Sequence, residues 1–210
     1  MVFTGFTPKD FAVFSIEGLD ERMEAIREQI QPKFKEIGTL LCDELAVLAG
    51  NEMFLHIAKH ARRTVNPPKD TWLAICHDKR GYKKHPHFQV GLFDDHVFIW
   101  LACIYEAPNK TQIAENFLRN IDALRDMIPS DFVISLDHTQ KNSLSMKDLS
   151  GEQLEESLVR FRDVKKAEFL VGRHFPSGDR ILENGDEFIG IVKHTFKTLM
   201  PLYQMAFHSS

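Results

Sequence analysis

Between residues 59 and 87 stand eight cations, Lys59, Arg62, Arg63, Lys69, Lys79, Arg80, Lys83 and Lys84, against two anions, Asp70 and Asp78, so the segment carries +6. The whole chain carries −4, from 26 Lys+Arg and 30 Asp+Glu, which leaves −10 on the remainder. His60, His77, His85 and His87 share the segment with Trp72 and Tyr82, and Phe88 follows directly. Guanidinium groups fork phosphate oxygens bidentately and aromatic rings stack on bases, so these residue types together are the ingredients of a phosphate or nucleic-acid site. Arg62, Arg63, Arg80, Lys83, Lys84, His85 and His87 are the candidate binding residues within it. A second basic stretch, Arg160, Arg162, Lys165, Lys166, Arg173 and Arg180, faces Asp163, Glu168 and Asp179. Arg173 and His174 join the candidate set if their strand lies beside those of residues 72–93. The competing reading of residues 78–86 is a hairpin loop whose charges only keep a turn solvated.

Metal and catalytic templates are weaker. His56 and His60 lie four apart and His85 and His87 two apart, each pair able to share a face, but Ile57 stands where a zincin-type motif needs its glutamate. No metal site and no cofactor are expected. The chain has no G-x-S-x-G elbow, Gly-rich phosphate loop, dinucleotide fingerprint or C-x-x-C pair. Asp137-His138, at the end of a predicted strand, is a conceivable acid/base pair, yet adjacent strand residues point to opposite faces. The first functional reading is therefore a protein that binds an anionic small molecule or nucleic acid. The alternative is a small phosphate-ester hydrolase using His60, His85 or His87 as acid/base groups or metal ligands.

The elements that position these residues follow from hydrophobic period. Residues 11–16, rich in β-formers, predict a short first strand. Leu19, Met23, Ile26, Ile30, Phe34, Ile37, Leu41, Leu45 and Leu48 step by three or four, which predicts a long helix with a kink or break near Gln31 and Pro32. The period then changes, predicting strands at 53–60, 72–76, 87–93 and 96–105, paired antiparallel, with Asp94-Asp95 as a hairpin link. Residues 97–104 lack polar alternation and belong near the sheet centre. Asn109 with Gln112 predicts a capped helix carrying Ile113, Phe117, Ile121, Leu124 and Ile128. A strand at 132–136, a helix capped by Ser150 and Gln153, a strand at 168–175 and a helix opening at Asn184 and ending at Pro201 complete the order. The fold class is α+β: a mostly antiparallel, mixed sheet packed with a long N-terminal helix and three further helices.

At 210 residues with 43% hydrophobic and 27% charged, the chain has the composition of an ordinary globular protein, and a single domain over 1–210 is expected. Cys42, Cys76 and Cys103 are odd in number, widely spaced and set in apolar stretches, which fits buried thiols in a reducing compartment. The first ten residues carry no basic-then-apolar leader, and the longest apolar run falls far short of the ~20 residues a membrane-crossing helix needs. No membrane partner and a cytoplasmic location are expected.

Six segments carry a family likeness: Phe6-Thr7-Pro8-Lys9-Asp10-Phe11, Ile16-Glu17-Gly18-Leu19, Arg22-Met23-Glu24-Ala25-Ile26-Arg27, Gln31-Pro32-Lys33-Phe34, His60-Ala61-Arg62-Arg63-Thr64-Val65-Asn66-Pro67-Pro68 and Arg80-Gly81-Tyr82-Lys83-Lys84. With these the chain resembles, over nearly its whole length, the YktB-like family of small bacterial cytoplasmic proteins of unknown function. The resemblance implies a compact single α+β domain and brings no activity, cofactor or catalytic residue that could be carried over.

Overall fold

The structure, a computed structural model, describes residues 3–207; the ends of the expected 1–210 unit, residues 1–2 and 208–210, lie outside the described residues. Seven strands form one sheet in the order β1-β2-β3-β4-β7-β5-β6, every neighbouring pair antiparallel. They are β1 (Phe54–Ile57), β2 (Asp70–Cys76), β3 (His87–Phe93), β4 (His96–Cys103), β5 (Val133–Ser135), β6 (Leu144–Ser145) and β7 (Phe169–Pro176). The α+β class holds. β4 stands at the centre and is buried along its whole length, as its unbroken apolar run requires.

Helices cover one face. α2 (Leu19–Ala25) passes through a π turn at Ile26–Ile30 into α3 (Gln31–Ala49). The expected interruption near Pro32 thus takes the form of a wide turn just ahead of a proline in the first turn of α3, where its missing N–H costs nothing. α3 packs on β1 and β2, while α7 (Gly185–Met205) packs on β3, β4 and β7. Leu73, Ile75, Phe88, Val90, Val97, Ile99, Leu101 and Val171 meet these helices in the main core.

Several local expectations are corrected. Residues 11–16 are not a strand: α1 (Pro8–Ala12) and a 3-10 turn at Val13–Ser15 occupy them. Asp10 Oδ2 accepts from the backbone N–H and hydroxyl of Thr7, at 2.7 and 3.1 Å, and Pro8 presets the first turn. That cap starts a helix whose Phe11, Val13 and Phe14 still reach the core. The helix expected over 113–128 is two, α4 (Lys110–Arg119) and α5 (Ile121–Met127), because the Asn120 side chain donates to Asn116 O at 2.8 Å and competes with the backbone. Asn109 makes no side-chain cap; its carbonyl accepts from Ile113 N instead. Pro201 does not end α7, since a proline removes only its own bond and buried Leu202 and Tyr203 hold the last turn in place. β6 went unforeseen because two residues carry no period. The Ser150 capping box opens α6 (Gly151–Asp163), and Asn184 caps α7.

The opposite face of the sheet is concave. The indole of Trp72, on β2, packs edge-on against His138, just beyond β5, with ring centroids 5.9 Å apart. Three strands separate β2 from β5, which would place them about 19 Å apart in a flat sheet at ~4.8 Å per strand. The sheet therefore curls until its two sides meet over that face. Its lining is aromatic: Trp72, Phe93, Phe98 and Trp100 form a second apolar cluster. Gly91 pairs with Phe98, and Gly172 with Trp100. A Cβ on Gly91 would lie 2.2 Å from Phe98 Cζ, so glycine is what lets the ring lie across the neighbouring strand.

Candidate functional site

The cations and imidazoles of residues 59–87 reach this concave face through two loops. After β1, Ala58 N donates to Trp72 O at 2.9 Å, extending the ladder by one residue. The chain then turns at His60, which has φ 48°, the one positive φ of a non-glycine among the described residues. Arg63 N donates to His60 O and closes that turn, and the imidazole anchors it, with Nε2 3.2 Å from Thr71 Oγ1 and the ring 5.5 Å from Trp72. A left-handed histidine costs about 1–2 kcal/mol and persists only where its surroundings hold it, as at ligand sites. Burial, then the charges of Arg63 and Lys83, push His60 down to about 4, so its ring is neutral. On the other side, Asp78 Oδ1 accepts from Arg80 N at 2.7 Å and shapes the loop that leads into the 3-10 turn Tyr82–Lys84. Tyr82 is fixed by the Trp72 indole N–H, which donates to its hydroxyl at 3.0 Å.

Between these loops lies a cleft of about 410 Å³ lined by Lys59, His60, Arg62, Arg63, Trp72, Tyr82 and Lys83. A second cleft of about 550 Å³ adjoins it, sharing Lys59, Tyr82 and Lys83 and adding Arg80, Lys84 and Glu106. Both volumes suit a small molecule. Glu106 Oε1 lies 3.3 Å from Lys83 Nζ and 3.6 Å from Arg62. One carboxylate thus serves two cations, and among the described residues Lys59, Arg63, Arg80 and Lys84 have no carboxylate within ion-pair distance. Positive potential in the clefts is offset only in part.

At the inner side of Trp72 sits a buried acid/base group. The Glu168 carboxylate, 2% exposed, holds His138 twice: Oε2 is 2.8 Å from His138 N and 2.7 Å from Nδ1. Oε1 lies 3.4 Å from Tyr105 N. Donation from Nδ1–H to the carboxylate leaves Nε2 as the free nitrogen, with no hydrogen-bond partner among the described residues. Burial acts to lower the His138 pKa but is outweighed by the Glu168 hydrogen bond and the charges of Glu168 and Asp70, so it is raised. Asp70 stands two residues from Trp72 on β2, 5% exposed. Burial pushes it up to about 6 against the opposing pull of His138, Arg63 and Lys83. Asp137, His138 and Glu168 offer three donor atoms within 4.8 Å of one another. Within this group Glu168 Oε2 is engaged with His138 Nδ1 and Asp137 Oδ1 with Thr139, so the three are already joined to protein partners and Glu168–His138 is a hydrogen-bonded dyad.

Of the residues singled out from sequence, Arg62, Arg63 and Lys83 come together in the first cleft, and Arg80 and Lys84 line its neighbour. His85 pairs with Asp78 at 3.2 Å. His87 is fully buried beneath Tyr82: Nδ1 donates to His85 O and Nε2 accepts from the Gln89 amide, so both nitrogens are engaged. Burial pushes it down to about 3. Arg173 and His174 do not join the cleft, because β7 neighbours β4 on the side away from β2 and β3. Arg173 pairs with Asp131, and His174 packs against His96 and Trp100. Sequence reasoning missed Glu168 as the partner of His138. β5 ends at Ser135, so His138 lies in the turn beyond and strand alternation does not govern it.

A curled antiparallel sheet backed by helices on its convex side, with a cationic cleft and a carboxylate–imidazole dyad on its concave side, defines an α+β protein with a polar concavity. A family model described as "Domain of unknown function (DUF1054)" matches residues 6–203. The chain is 60% identical over 206 residues to the UPF0637 protein ABC2405 of Shouchella clausii, covering 98% of this chain and 96% of that one. It is 60% identical over 205 residues to OB1420 of Oceanobacillus iheyensis, covering 98% of each. Its identity to lin1053 of Listeria innocua is 53% over 206 residues, covering 98% of this chain and 99% of that one. The protein belongs to this bacterial DUF1054 (UPF0637) family of unknown function, as its YktB-like resemblance implies.

Proposed function

We propose that the protein binds a small phosphate-bearing ligand in the cleft of Lys59, Arg62, Arg63 and Lys83, with Trp72 and Tyr82 as the walls that receive an aromatic group. The observation that carries this reading is the convergence of four cations on one concavity where, among the described residues, Glu106 alone forms an ion pair with any of them. Guanidinium and ammonium groups so placed bind phosphate by charge-assisted hydrogen bonds, each worth about 1.5–3 kcal/mol. A cleft of nucleotide size favours a small molecule over a nucleic acid, which would track a longer basic groove. The unit is read as one domain because a single sheet runs through it, and as cytoplasmic because its three cysteines are free. Among the described residues no helix is long and apolar enough to cross a membrane.

Trp72 supplies the assay, since its indole lines the cleft. ADP titrated at low salt should quench tryptophan fluorescence saturably, and the double substitution Arg63→Ala, Lys83→Ala should weaken affinity at least tenfold. No quenching at low salt, or unchanged affinity in the double variant, refutes the reading. Tighter binding of an oligonucleotide than of ADP, with a steep loss in salt, would assign the cleft to nucleic acid instead.

A further inference from the structure

We infer that the Glu168–His138 dyad and Asp70, beside Trp72, make this concavity a catalytic site for hydrolysis of a phosphodiester, with Asp70 as general base and His138 as general acid. The inference rests on the cleft binding phosphate and goes beyond it. Three observations carry it. His138 is oriented by a buried carboxylate through both its backbone N–H and its Nδ1, and its Nε2 has no partner among the described residues. That is the arrangement by which an imidazole is held in one tautomer for proton transfer. Asp70, a second carboxyl, is buried on the same concave face without an ion-pair partner among the described residues. The Trp72 ring links the dyad to the cation cleft, with centroids 5.9 Å from His138 and 5.5 Å from the cleft residue His60, and Asp70 lies near enough to His138, Arg63 and Lys83 to feel their charges.

The chemistry balances without a further reagent. Asp70 takes a proton from water as the water oxygen bonds to phosphorus. The bond from phosphorus to the ester oxygen breaks, and that oxygen takes the proton from His138 Nε2. Arg63 and Lys83 offset the charge that gathers on the phosphoryl oxygens. Solvent then restores the proton to His138 and removes the one on Asp70. The productive state has Asp70 ionised and His138 protonated. Asp70 is faced by His138, Arg63 and Lys83, and His138 by Glu168, Asp70, Lys83 and the neutral ring of His87. Activity should therefore rise through about pH 6 and fall again at a higher pH set by His138.

Two substrates separate the roles. Bis(4-nitrophenyl) phosphate expels a leaving group that needs no acid, whereas thymidylyl-(3′,5′)-thymidine expels an alkoxide that does. Full-length protein should cleave both. Asp70→Asn should slow both by about 100-fold or more, in the range typical of a general base. His138→Gln should slow the dinucleotide by a similar factor and the nitrophenyl ester less than tenfold. Glu168→Gln, a positioning change, should move the alkaline limb of the pH profile to lower pH. Wild-type protein that binds the dinucleotide but releases no thymidine, or equal slowing of both substrates by His138→Gln, overturns the inference and leaves the binding reading intact. Failure to bind the dinucleotide while ADP still binds overturns the inference alone, and failure to bind either overturns the binding reading as well.

Discussion

Replacing Asp70 by asparagine should make the protein more stable at neutral pH, because the native fold buries this carboxylate at a cost. Its pKa rises from 3.8 to about 6 on folding. Below pH 3.8 the carboxyl is protonated in both states and folding carries no penalty. Between 3.8 and about 6 the native state binds more protons than the unfolded one, so this group's contribution falls as pH rises. Above about 6 the penalty is complete, and at 1.36 kcal/mol per pH unit it amounts to about 3 kcal/mol at pH 7.5. Asparagine resembles the protonated acid in shape and escapes the penalty. The variant should exceed wild type by about 3 kcal/mol at pH 7.5 and by about 1 kcal/mol at pH 4.5. For a chain of this length the neutral-pH difference corresponds to about 6–12 °C in Tm. Urea unfolding of both proteins at a series of pH values reads the difference directly. A variant less stable than wild type at pH 7.5, or a gap that does not grow with pH, would mean that Asp70 is held by its cationic neighbours rather than strained by burial. A stabilising substitution here also fits a functional site, where a group is kept for its chemistry against its stability.

Three further outcomes follow from the same packing. His87 is pushed down to about 3, so its neutral form stabilises the fold fully above pH 6.5, and that contribution is lost as pH falls toward 3. His87→Gln should flatten the acid limb of the stability curve by up to about 5 kcal/mol, measured as the change in slope between pH 6.5 and 3. Gly172→Ala would set a Cβ 1.8 Å from Ile99 O, a backbone atom of the central strand. It should cost upwards of about 3 kcal/mol or leave the protein insoluble, and a wild-type urea midpoint would contradict the tight approach of β4 and β7. Ser150→Ala removes the hydroxyl that accepts from Gln153 N at 3.1 Å and should cost about 1 kcal/mol by the same assay, while an unchanged midpoint would show the capping box to be idle.

Legibility in the sequence divides along sequence separation. The alternation of residues 87–93 marked β3 residue for residue, and the unbroken run after His96 marked the central strand, because the period of a sheet is local information. Residues 11–16 misled because β-forming composition says nothing of the Thr7–Asp10 cap that starts a helix just before them. The charge asymmetry of residues 59–87 pointed to the cleft, yet whether Arg173 would reach it depended on strand order, which no local pattern encodes. The His138–Glu168 dyad was least legible. Thirty residues part its members, and only the pairing of β5 with β7 brings them together. The curl of the sheet, which sets Trp72 against His138, is likewise a sum of small twists and of close approaches such as those at Gly91 and Gly172.

The cleft is tested most directly by the electron density of crystals grown with ADP at a concentration that saturates the protein in solution. The expected density places phosphates between Arg63 and Lys83 with the base against Trp72 or Tyr82. Nucleotide ordered elsewhere on the molecule, or solvent alone in the cleft, would contradict it.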